Sequence, residues 1–323
     1  ALSSAASDVY KRQGNILCIT GGEGTGKSNY VTALIAGAIG QSDNNKDKVM
    51  DTLGVSVCEN SKRKAILFYD TEQSEVQTYK NITNLLKRCG RESMPEYLKA
   101  YCLTGMSRKE RLLSIIQSLD KYHYQYGGVH LVVIDGIADL IKCANDEAES
   151  IAVVEELYRL AGIYKTCIVT VLHFIPNGLK LRGHLGSELQ RKAAAILSIE
   201  KDSDPAISVV KALKVRDGSP LDVPIMQFAW DKDVRMHVYL GEKPKEEKEK
   251  RKEDELVAVA RDIFGRQDFI TYVDLAEQIQ AILDVKERTA KSYIKFMREK
   301  EIILKDPSNQ SYYIIGNLKQ ASL

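Results

Sequence analysis

The chain has 323 residues, of which 44% are hydrophobic and 28% are charged, and its formal net charge at pH 7 is only +2. This length suits one large domain and a smaller one, and the small net charge alone does not indicate a nucleic-acid partner. No apolar run reaches the roughly 18–20 residues of a membrane span, and the six cysteines lack metal-ligand spacing. We therefore expect a cytoplasmic protein with reduced thiols and no membrane partner.

A glycine-rich stretch follows the first apolar run, NILCIT (15–20), and precedes the helix-like segment SNYVTALIAGAIG (28–40). It fits the phosphate-loop pattern G-x-x-x-x-G-K-[ST], in the strand–loop–helix order that this loop requires. Backbone N–H groups and a helix N-terminus bind phosphate oxygens in such loops, and the lysine and hydroxyl serve the β/γ-phosphates and Mg²⁺. We predict a nucleoside triphosphate site at Gly21, Gly22, Glu23, Gly24, Thr25, Gly26, Lys27, Ser28 and Asn29, with Ser28 as a Mg²⁺ ligand.

Short apolar runs recur at residues 65–70, 98–103, 130–135, 167–174 and 194–200, with helical segments between most of them. This alternation predicts an α/β fold with a mainly parallel central sheet and helices on both faces. Residues 207–239 bring three more strand-like runs in quick succession, which predicts an antiparallel extension of the sheet.

Acidic residues lie at the ends of two of these runs. Asp135 ends HLVVID (130–135), and at the carboxyl edge of a parallel sheet its carboxylate can hold a magnesium-bound water beside the phosphate loop. Glu72 lies just past AILFYD (65–70), where a carboxylate can act as general base toward the attacking water. Two alternatives stay open, because Glu72 could instead cap a helix and Asp70 is a rival for the base.

The order of these features resembles that of RecA-like ATPases, and most closely the RepA-type hexameric replicative helicases of plasmids and mobile elements. The matches are the phosphate loop at 21–28, Glu72, Asp135, and His173 at a strand end; Lys214-Val215-Arg216-Asp217-Gly218 is similar to the family's Lys-x-Arg-x-Gly element. Over residues 14–240, the resemblance implies ATP and Mg²⁺ as cofactors, with Mg²⁺ held by Ser28 and Asp135. It also implies a catalytic set of Lys27, Glu72, Asp135, His173, Lys214 and Arg216.

The roles that this resemblance implies differ among the catalytic residues. His173 would sense the γ-phosphate, whereas Lys214 and Arg216 would enter the site of a neighbouring subunit. We therefore expect a homo-oligomer, with a hexamer as the expected form and nucleotide bound between subunits.

The segment IPNGLKLRGHLGSELQRK (175–192) follows the strand that carries His173. In RecA-like motors the corresponding segment lines the channel of the ring and binds single-stranded DNA. Lys180 and Arg182 suit contacts to backbone phosphates that carry no sequence information, although solvated surface charge is the alternative. Single-stranded DNA is therefore the expected partner.

The C-terminal part of the chain begins with the charged run KPKEEKEKRKEDE (243–255), which predicts a solvated linker or linker helix. Three helix-like segments and two strand-like runs around Pro307-Ser308-Asn309 then predict a winged-helix domain. In its third helix, cations recur at the spacing expected of a DNA-binding recognition helix, although protein contact is an alternative; these are Arg288, Lys291 and Lys295.

The predicted domains are a RecA-like ATPase domain at 14–241, a linker at 242–255 and a winged helix at 256–318. We interpret residues 1–13 as a non-native leader, because 8–13 (DVYKRQ) resembles translated transposon-end sequence. Together these features predict a DNA-dependent ATPase motor, and the resemblance implies a ring-forming replicative helicase of a plasmid or mobile element.

Three alternatives to the helicase stay open, the first within the RecA-like class and the other two from other functional classes. A recombination or repair ATPase of the RecA/RadA type is the nearest of them. A small-molecule kinase would need an acceptor pocket and a lid, and would have no use for the element at Lys214 and Arg216. A nucleotide-switched DNA-binding regulator would not need a water-activating carboxylate such as Glu72.

Overall fold

The computed structural model describes residues 14–41, 50–173, 183–216 and 218–316, with the backbone alone at 245–248. The leader at 1–13 and the proposed DNA contacts Lys180 and Arg182 lie outside these ranges. Contacts within the chain divide it into two compact units, one of residues 1–215 with 225–242 and one of residues 216–224 with 243–323.

The first unit is an α/β structure built on a mixed sheet. Within the described ranges nine strands form this sheet in the order β3-β2-β4-β5-β1-β6-β7-β8-β9, parallel from β3 to β6 and antiparallel from β6 to β9. The mainly parallel sheet and its antiparallel extension are therefore confirmed. The strands are β1 (Asn15–Gly21), β2 (Ala65–Asp70), β3 (Leu98–Cys102), β4 (Val129–Asp135), β5 (Cys167–His173), β6 (Ala195–Lys201), β7 (Ile207–Val215), β8 (Met226–Asp231) and β9 (Met236–Glu242).

Helices cover both faces of this sheet, because successive residues of each parallel strand point to opposite sides. Leu17 and Ile19 of β1 lie in one apolar cluster, and Ile16 and Cys18 lie in the other. The first cluster packs under α1 and α2, and the second packs under α3, α4 and α5. These helices are α1 (Lys27–Ile39), α2 (Glu75–Arg88), α3 (Arg108–Tyr126), α4 (Glu147–Ile163) and α5 (Gly183–Lys192).

The second unit contains, within its described residues, three α-helices, a short 3-10 helix (Pro220–Asp222) and a small antiparallel sheet in the order β10-β12-β11. Its elements are α6 (Lys245–Phe264), β10 (Ile270–Thr271), α7 (Tyr272–Leu283), α8 (Glu287–Glu299), β11 (Ile303–Lys305) and β12 (Tyr312–Ile315). The strand β10 adds to the two strands expected from the sequence.

The charged run at 243–255 continues directly into the core of this unit. It forms most of α6, whose later residues Leu256, Ala260 and Ile263 are buried. The residues 216–224 join the same core, because Leu221 is buried there and Ser219 makes a hydrogen bond with the Tyr293 hydroxyl. None of the helices that the structure describes has the length and hydropathy needed to cross a membrane.

The core of the first unit predicts a large cost for shortening Leu34 of α1, which is fully buried in the cluster beneath α1 and α2. Leu34→Ala should lower the free energy of unfolding by about 2–5 kcal/mol, since it removes apolar contacts and leaves a cavity. Leu113→Ala is the matched control, because Leu113 is 52% exposed, and it should change stability by about 0.5 kcal/mol or less. Urea denaturation measures both, and equal effects would contradict this packing.

Candidate active site

The loop between β1 and α1 leaves the N-terminus of α1 open to a ligand. Helices α2, α3 and α4 each begin with a serine or aspartate side chain that accepts a hydrogen bond from the first turn. Among the described residues α1 has no such side-chain cap, and its first turn contains no acidic residue. Its N–H groups and the positive end of its dipole are therefore available to an anion.

Two glycines of this loop lie where other parts of the protein come very close to the backbone. Gly26 precedes α1 with a left-handed φ of 96°, and a Cβ added there would lie 2.9 Å from the Phe228 ring. A Cβ on Gly21 would lie 2.2 Å from the carbonyl oxygen of Ile199 on the neighbouring strand β6. Both positions consequently require glycine, as the phosphate-loop pattern predicts.

Lys27 lies inside the loop and is only 7% exposed. Its Nζ donates hydrogen bonds to the carbonyl oxygens of Gly21 (3.1 Å) and Gly22 (2.6 Å). Burial lowers the pKa of Lys27, while the nearby carboxylates of Glu72 and Asp135 act in the opposite direction. The loop therefore holds a partly desolvated cation at the position where the sequence predicts phosphate binding.

The carboxyl ends of the parallel strands bring the other predicted residues to the same edge of the sheet. Gly21 is in register with His173 across β1 and β5, and Asp70 with Asp135 across β2 and β4. Asp135 is 3% exposed. Burial, followed by the charges of Asp70 and Glu72, raises the pKa of Asp135 to about 7, and a hydrogen bond with Ser28 opposes this rise.

The oxygens at this edge fit a magnesium ion carried with a nucleotide. Asp135 Oδ2 is buried without a hydrogen-bond partner among the described residues, and such an atom is costly unless a ligand satisfies it. Hydroxyl and carboxylate oxygens are ligands that Mg²⁺ prefers, and one or two of them suffice when substrate phosphates supply others. Ser28 and Asp135 are the candidate ligands of this kind; a group of three or more His, Cys, Asp or Glu that could hold a metal does not occur in the described ranges.

Glu72 contacts His173 at this edge. Its Oε2 lies 3.0 Å from His173 Nε2, and both side chains are partly exposed. This hydrogen bond is the main cause that lowers the pKa of Glu72, which therefore stays ionised at neutral pH. Glu72 does not cap α2, because Ser74 occupies that position and accepts from the Gln77 N–H.

Asp70, the rival for the general base, has a structural role. It is fully buried; its Oδ1 accepts from the backbone N–H groups of Glu72 (3.2 Å) and Gln73 (2.9 Å), and its Oδ2 accepts from the Thr78 hydroxyl (2.9 Å). A carboxylate that is shielded from solvent and engaged by three donors is poorly placed to activate water. Asp70 instead fixes the turn that presents Glu72.

Gln73 is a residue of this site that the sequence interpretation missed. Its Nε2 donates to Ser28 Oγ at 3.0 Å, and its Oε1 accepts from Asn81 Nδ2 at 3.0 Å. It therefore connects the phosphate-loop serine to α2. Its only sequence signal is its position next to Glu72.

Thr71 and Gly136 were also missed, and they connect the ends of β2 and β4. The Thr71 hydroxyl lies 2.7 Å from the carbonyl oxygen of Gly136 and 3.0 Å from that of Asp135. Gly136 has a φ of 103°, and a Cβ there would lie 2.3 Å from Thr71 Oγ1 and 2.6 Å from Glu72 Cγ. A glycine directly after Asp135 was the available sequence signal.

Lys214 lies away from the phosphate-loop edge of its own chain. Val215 is in register with Ala195, the first residue of β6, so β7 ends at the opposite edge of the sheet. Lys214 Nζ donates to the carbonyl oxygen of Gln190 at 2.5 Å, and Arg216, just after β7, is exposed. The fold therefore does not place Lys214 among the other candidate catalytic residues.

The predicted DNA-binding residues of α8 are exposed on that helix. Lys291 forms an ion pair with Glu287 (2.6 Å) and Lys295 with Glu299 (3.8 Å), whereas Arg288 is exposed without an ion pair among the described residues. Such pairs reduce the net positive charge of the helix face. The opposite face is buried and contains Ala290, Tyr293, Ile294 and Met297.

The close approach at Gly136 predicts that Gly136→Ala destabilises the turn that carries Glu72. The left-handed backbone and the two short Cβ distances should lower the free energy of unfolding by about 1–3 kcal/mol. Gly162→Ala in α4 is the control, since nothing lies within 4 Å of its added Cβ, and it should leave stability unchanged or raise it by up to about 1 kcal/mol. Thermal denaturation without nucleotide measures both, and an equally stable Gly136→Ala protein would refute the contact.

No protein-family model matches this chain, and no curated protein gives a significant match to it. The functional interpretation therefore rests on the residues at the carboxyl edge of the parallel strands. There Lys27, Ser28, Glu72, Asp135 and His173 form one candidate active site.

Proposed function

We propose that this protein is an ATP-dependent motor on single-stranded DNA, and specifically a ring-forming replicative helicase of a plasmid or mobile element. The observation that carries the proposal is the contact between Glu72 and His173, 3.0 Å apart, at the edge that also holds Lys27 and Asp135. An ionised, solvent-accessible carboxylate beside a phosphate loop suits hydrolysis, whereas a nucleotide-dependent switch does not need one.

In the proposed reaction Glu72 accepts a proton from a water molecule, whose oxygen attacks the γ-phosphorus as the bond to ADP breaks. Lys27 stabilises the negative charge on the phosphate oxygens, and the N-terminus of α1 orients them. Mg²⁺ held by Ser28 and Asp135 would neutralise part of the phosphate charge. His173, through its hydrogen bond, orients the Glu72 carboxylate toward the water.

Several features support a RecA-like motor with a winged helix over the other ATPase classes. The parallel strands place the phosphate loop, the glutamate, the aspartate and the histidine at one edge in the order of that family. Three helices with a small antiparallel sheet suit a winged helix. We propose α8, with Arg288, Lys291 and Lys295, as its DNA-binding helix.

The general-base role predicts that Glu72→Gln keeps nucleotide binding but lowers the ATP turnover rate by about 10²–10⁴-fold. Lys27→Ala should weaken both binding and turnover, because the lysine contacts the phosphates in both states. Asp70→Asn is the matched control, because Asp70 is a carboxylate with a structural role. This variant should mainly lower the free energy of unfolding. Binding of a fluorescent nucleotide and phosphate release, each with and without single-stranded DNA, measure these effects; normal turnover by Glu72→Gln would refute the assignment.

The position of β7 predicts that the active site is completed by a neighbouring subunit. Because β7 ends at the edge opposite the phosphate loop, Lys214 and Arg216 are better placed to reach the nucleotide of another copy. There a guanidinium can stabilise transition-state charge, an effect worth about 10³–10⁵-fold in NTPases. Arg216→Ala and Glu72→Gln proteins, each inactive alone, should recover part of the ATPase rate when they are mixed and reassembled.

This recovery requires an intact Glu72 on one side of an interface and an intact Arg216 on the other. Mixing Arg216→Ala with the double variant Glu72→Gln/Arg216→Ala is the control, because that mixture contains no intact Arg216. Full activity of Arg216→Ala alone, or an active monomeric wild type, would exclude an arrangement between subunits.

A further inference from the structure

A cavity of about 760 Å³ lies beside the N-terminus of α3, within the first unit. One wall consists of residues 106–109 and 111, and the other of 138–139 and 141–144. Four of its lining residues are cationic and one is acidic. The cations are Arg108, Lys109, Arg111 and Lys142, and none of them has a role in the candidate active site.

Arg111 makes hydrogen bonds with both walls of this cavity. Its guanidinium donates to the carbonyl oxygens of Leu103 (3.0 Å), Met106 (3.0 Å) and Thr104 (3.2 Å) on one wall and of Asp139 (3.2 Å) on the other. Its side chain is 14% exposed, and its distance to the Asp139 carboxylate is 3.7 Å. The cavity therefore has an ordered cationic floor.

The other three cations are exposed at this cavity, and their charged groups form no ion pair among the described residues, although the Glu149 carboxylate accepts from the Lys142 backbone N–H at 2.6 Å. The first turn of α3 adds the positive end of a helix dipole, which Glu110 of the capping box partly offsets. Positive charge that the protein itself does not neutralise attracts anions. The surface thus suits a ligand with several phosphates.

A second cavity of about 270 Å³ adjoins the first, since Met106 lines both. Tyr69, Tyr101 and Tyr122 contribute to its lining, with ring centroids 5.8 and 6.5 Å apart along the series. Leu103 and Met106 also line it, together with four polar side chains, Ser114, Gln117, Ser118 and Lys121. Tyr69 and Tyr122 are only 1% and 7% exposed, so the partly exposed ring of Tyr101 is the one accessible to a ligand. An aromatic ring with nearby donors and acceptors suits a nucleobase, as the cations suit phosphates.

We propose that these two cavities bind single-stranded nucleic acid, with backbone phosphates at Arg108, Lys109, Arg111 and Lys142 and a base in the second cavity beside Tyr101. Exposed cations spread over two walls favour a chain that enters and leaves the surface, and an aromatic surface beside a charged groove is how sequence-independent single-strand sites are built. None of the residues 183–192 lines either cavity, and the Leu185 N–H donates to the carbonyl oxygen of Ala144, a lining residue, at 3.1 Å. The connection of this site to hydrolysis rests on the proposed function.

Asp139 connects the proposed nucleic-acid site with the turn that carries Glu72. Its carboxylate lies 3.7 Å from Arg111 on the cavity side and 3.2 Å from the hydroxyl of Thr71, the residue before Glu72. A phosphate near Arg111 competes with Asp139 for the guanidinium and changes the contact that Asp139 makes with Thr71. Strand binding therefore alters the turn that presents Glu72, and ATP turnover should respond to it.

The test uses fluorescein-labelled oligodeoxythymidylate and the triple variant Arg108→Ala/Lys109→Ala/Lys142→Ala. We expect the triple variant to bind the oligonucleotide at least tenfold more weakly than the wild type. The slope of log affinity against log salt concentration should fall in magnitude by about 2, since each lost contact with a single-strand phosphate removes about 0.7 from that slope. The control Lys62→Ala/Lys80→Ala/Lys232→Ala removes the same charge from exposed positions elsewhere and should retain wild-type binding. Wild-type affinity and slope in the first variant, or equal losses in both, would overturn the site.

Competition identifies the ligand class. Unlabelled oligonucleotide should displace the probe, whereas inorganic polyphosphate of equal charge and free thymidine monophosphate should do so at least tenfold less well. Equal displacement by polyphosphate would overturn the role of the base, and equal displacement by the mononucleotide would overturn the strand. Lys142→Glu, a single change, should weaken binding more than Lys142→Ala, which tests the site if the triple variant folds poorly.

The outcomes separate this site from the proposed function. A wild-type protein that binds the probe through these residues but does not hydrolyse ATP refutes the motor and leaves the site. A wild-type ATPase whose triple variant binds and responds to the oligonucleotide normally refutes the site and leaves the motor.

Discussion

The central parallel strands are buried on both faces, and this constraint determines where polar chemistry can occur. Leu17 and Ile19 of β1 face one helix layer while Ile16 and Cys18 face the other, so little of the strand is left for an exposed polar side chain. Polar groups that must meet solvent or a ligand are therefore confined to the strand ends. Because six neighbouring strands run parallel, their carboxyl ends meet along one edge, and residues distant in sequence become neighbours there.

Three carboxylates at this edge differ because their surroundings differ. Asp70 accepts three hydrogen bonds and is fully buried. Asp135 is almost as deeply buried but has an oxygen with no partner among the described residues, and its pKa is raised to about 7. Glu72 keeps solvent access, and its hydrogen bond with His173 lowers its pKa. On the proposed function, hydrogen bonding and desolvation suit one carboxylate to structure, one to a cation and one to proton transfer, although the intrinsic acidities of aspartate and glutamate are similar.

Local patterns were sufficient to predict the glycine-rich turn between β1 and α1, the order of the strands along the chain and the acidic strand ends, because each depends on a few adjacent residues. Adjacent residues could not show which of Asp70 and Glu72 is better placed to act as the general base. The answer depends on Thr78, the fourth residue of α2, and on His173, about a hundred residues away. Gln73 and Gly136 were missed for the same reason, since their contacts with Ser28 and Thr71 cross between strands. The charged run at 243–255 gave no apolar periodicity, and its helix is continuous with the buried residues that follow Glu255.

The connection between β4 and α4 shows how one edge can serve two ligands. The single proton of the Thr71 hydroxyl is within hydrogen-bond distance of the Gly136 carbonyl oxygen (2.7 Å) and of the Asp139 carboxylate (3.2 Å), and Asp139 in turn faces Arg111. Burial, followed by the charge of Glu72, raises the pKa of Asp139, while Arg111 acts in the opposite direction. Asp139 therefore experiences the charge of both the proposed general base and the cationic cavity. If a bound phosphate draws Arg111 away, the Arg111–Asp139 interaction that offsets the burial of the Asp139 carboxylate is weakened. The hydrogen bond between Asp139 and the Thr71 hydroxyl then becomes more important for stabilising this carboxylate. On the proposed function, this exchange gives a strand bound beside α3 a direct physical route to the position of Glu72.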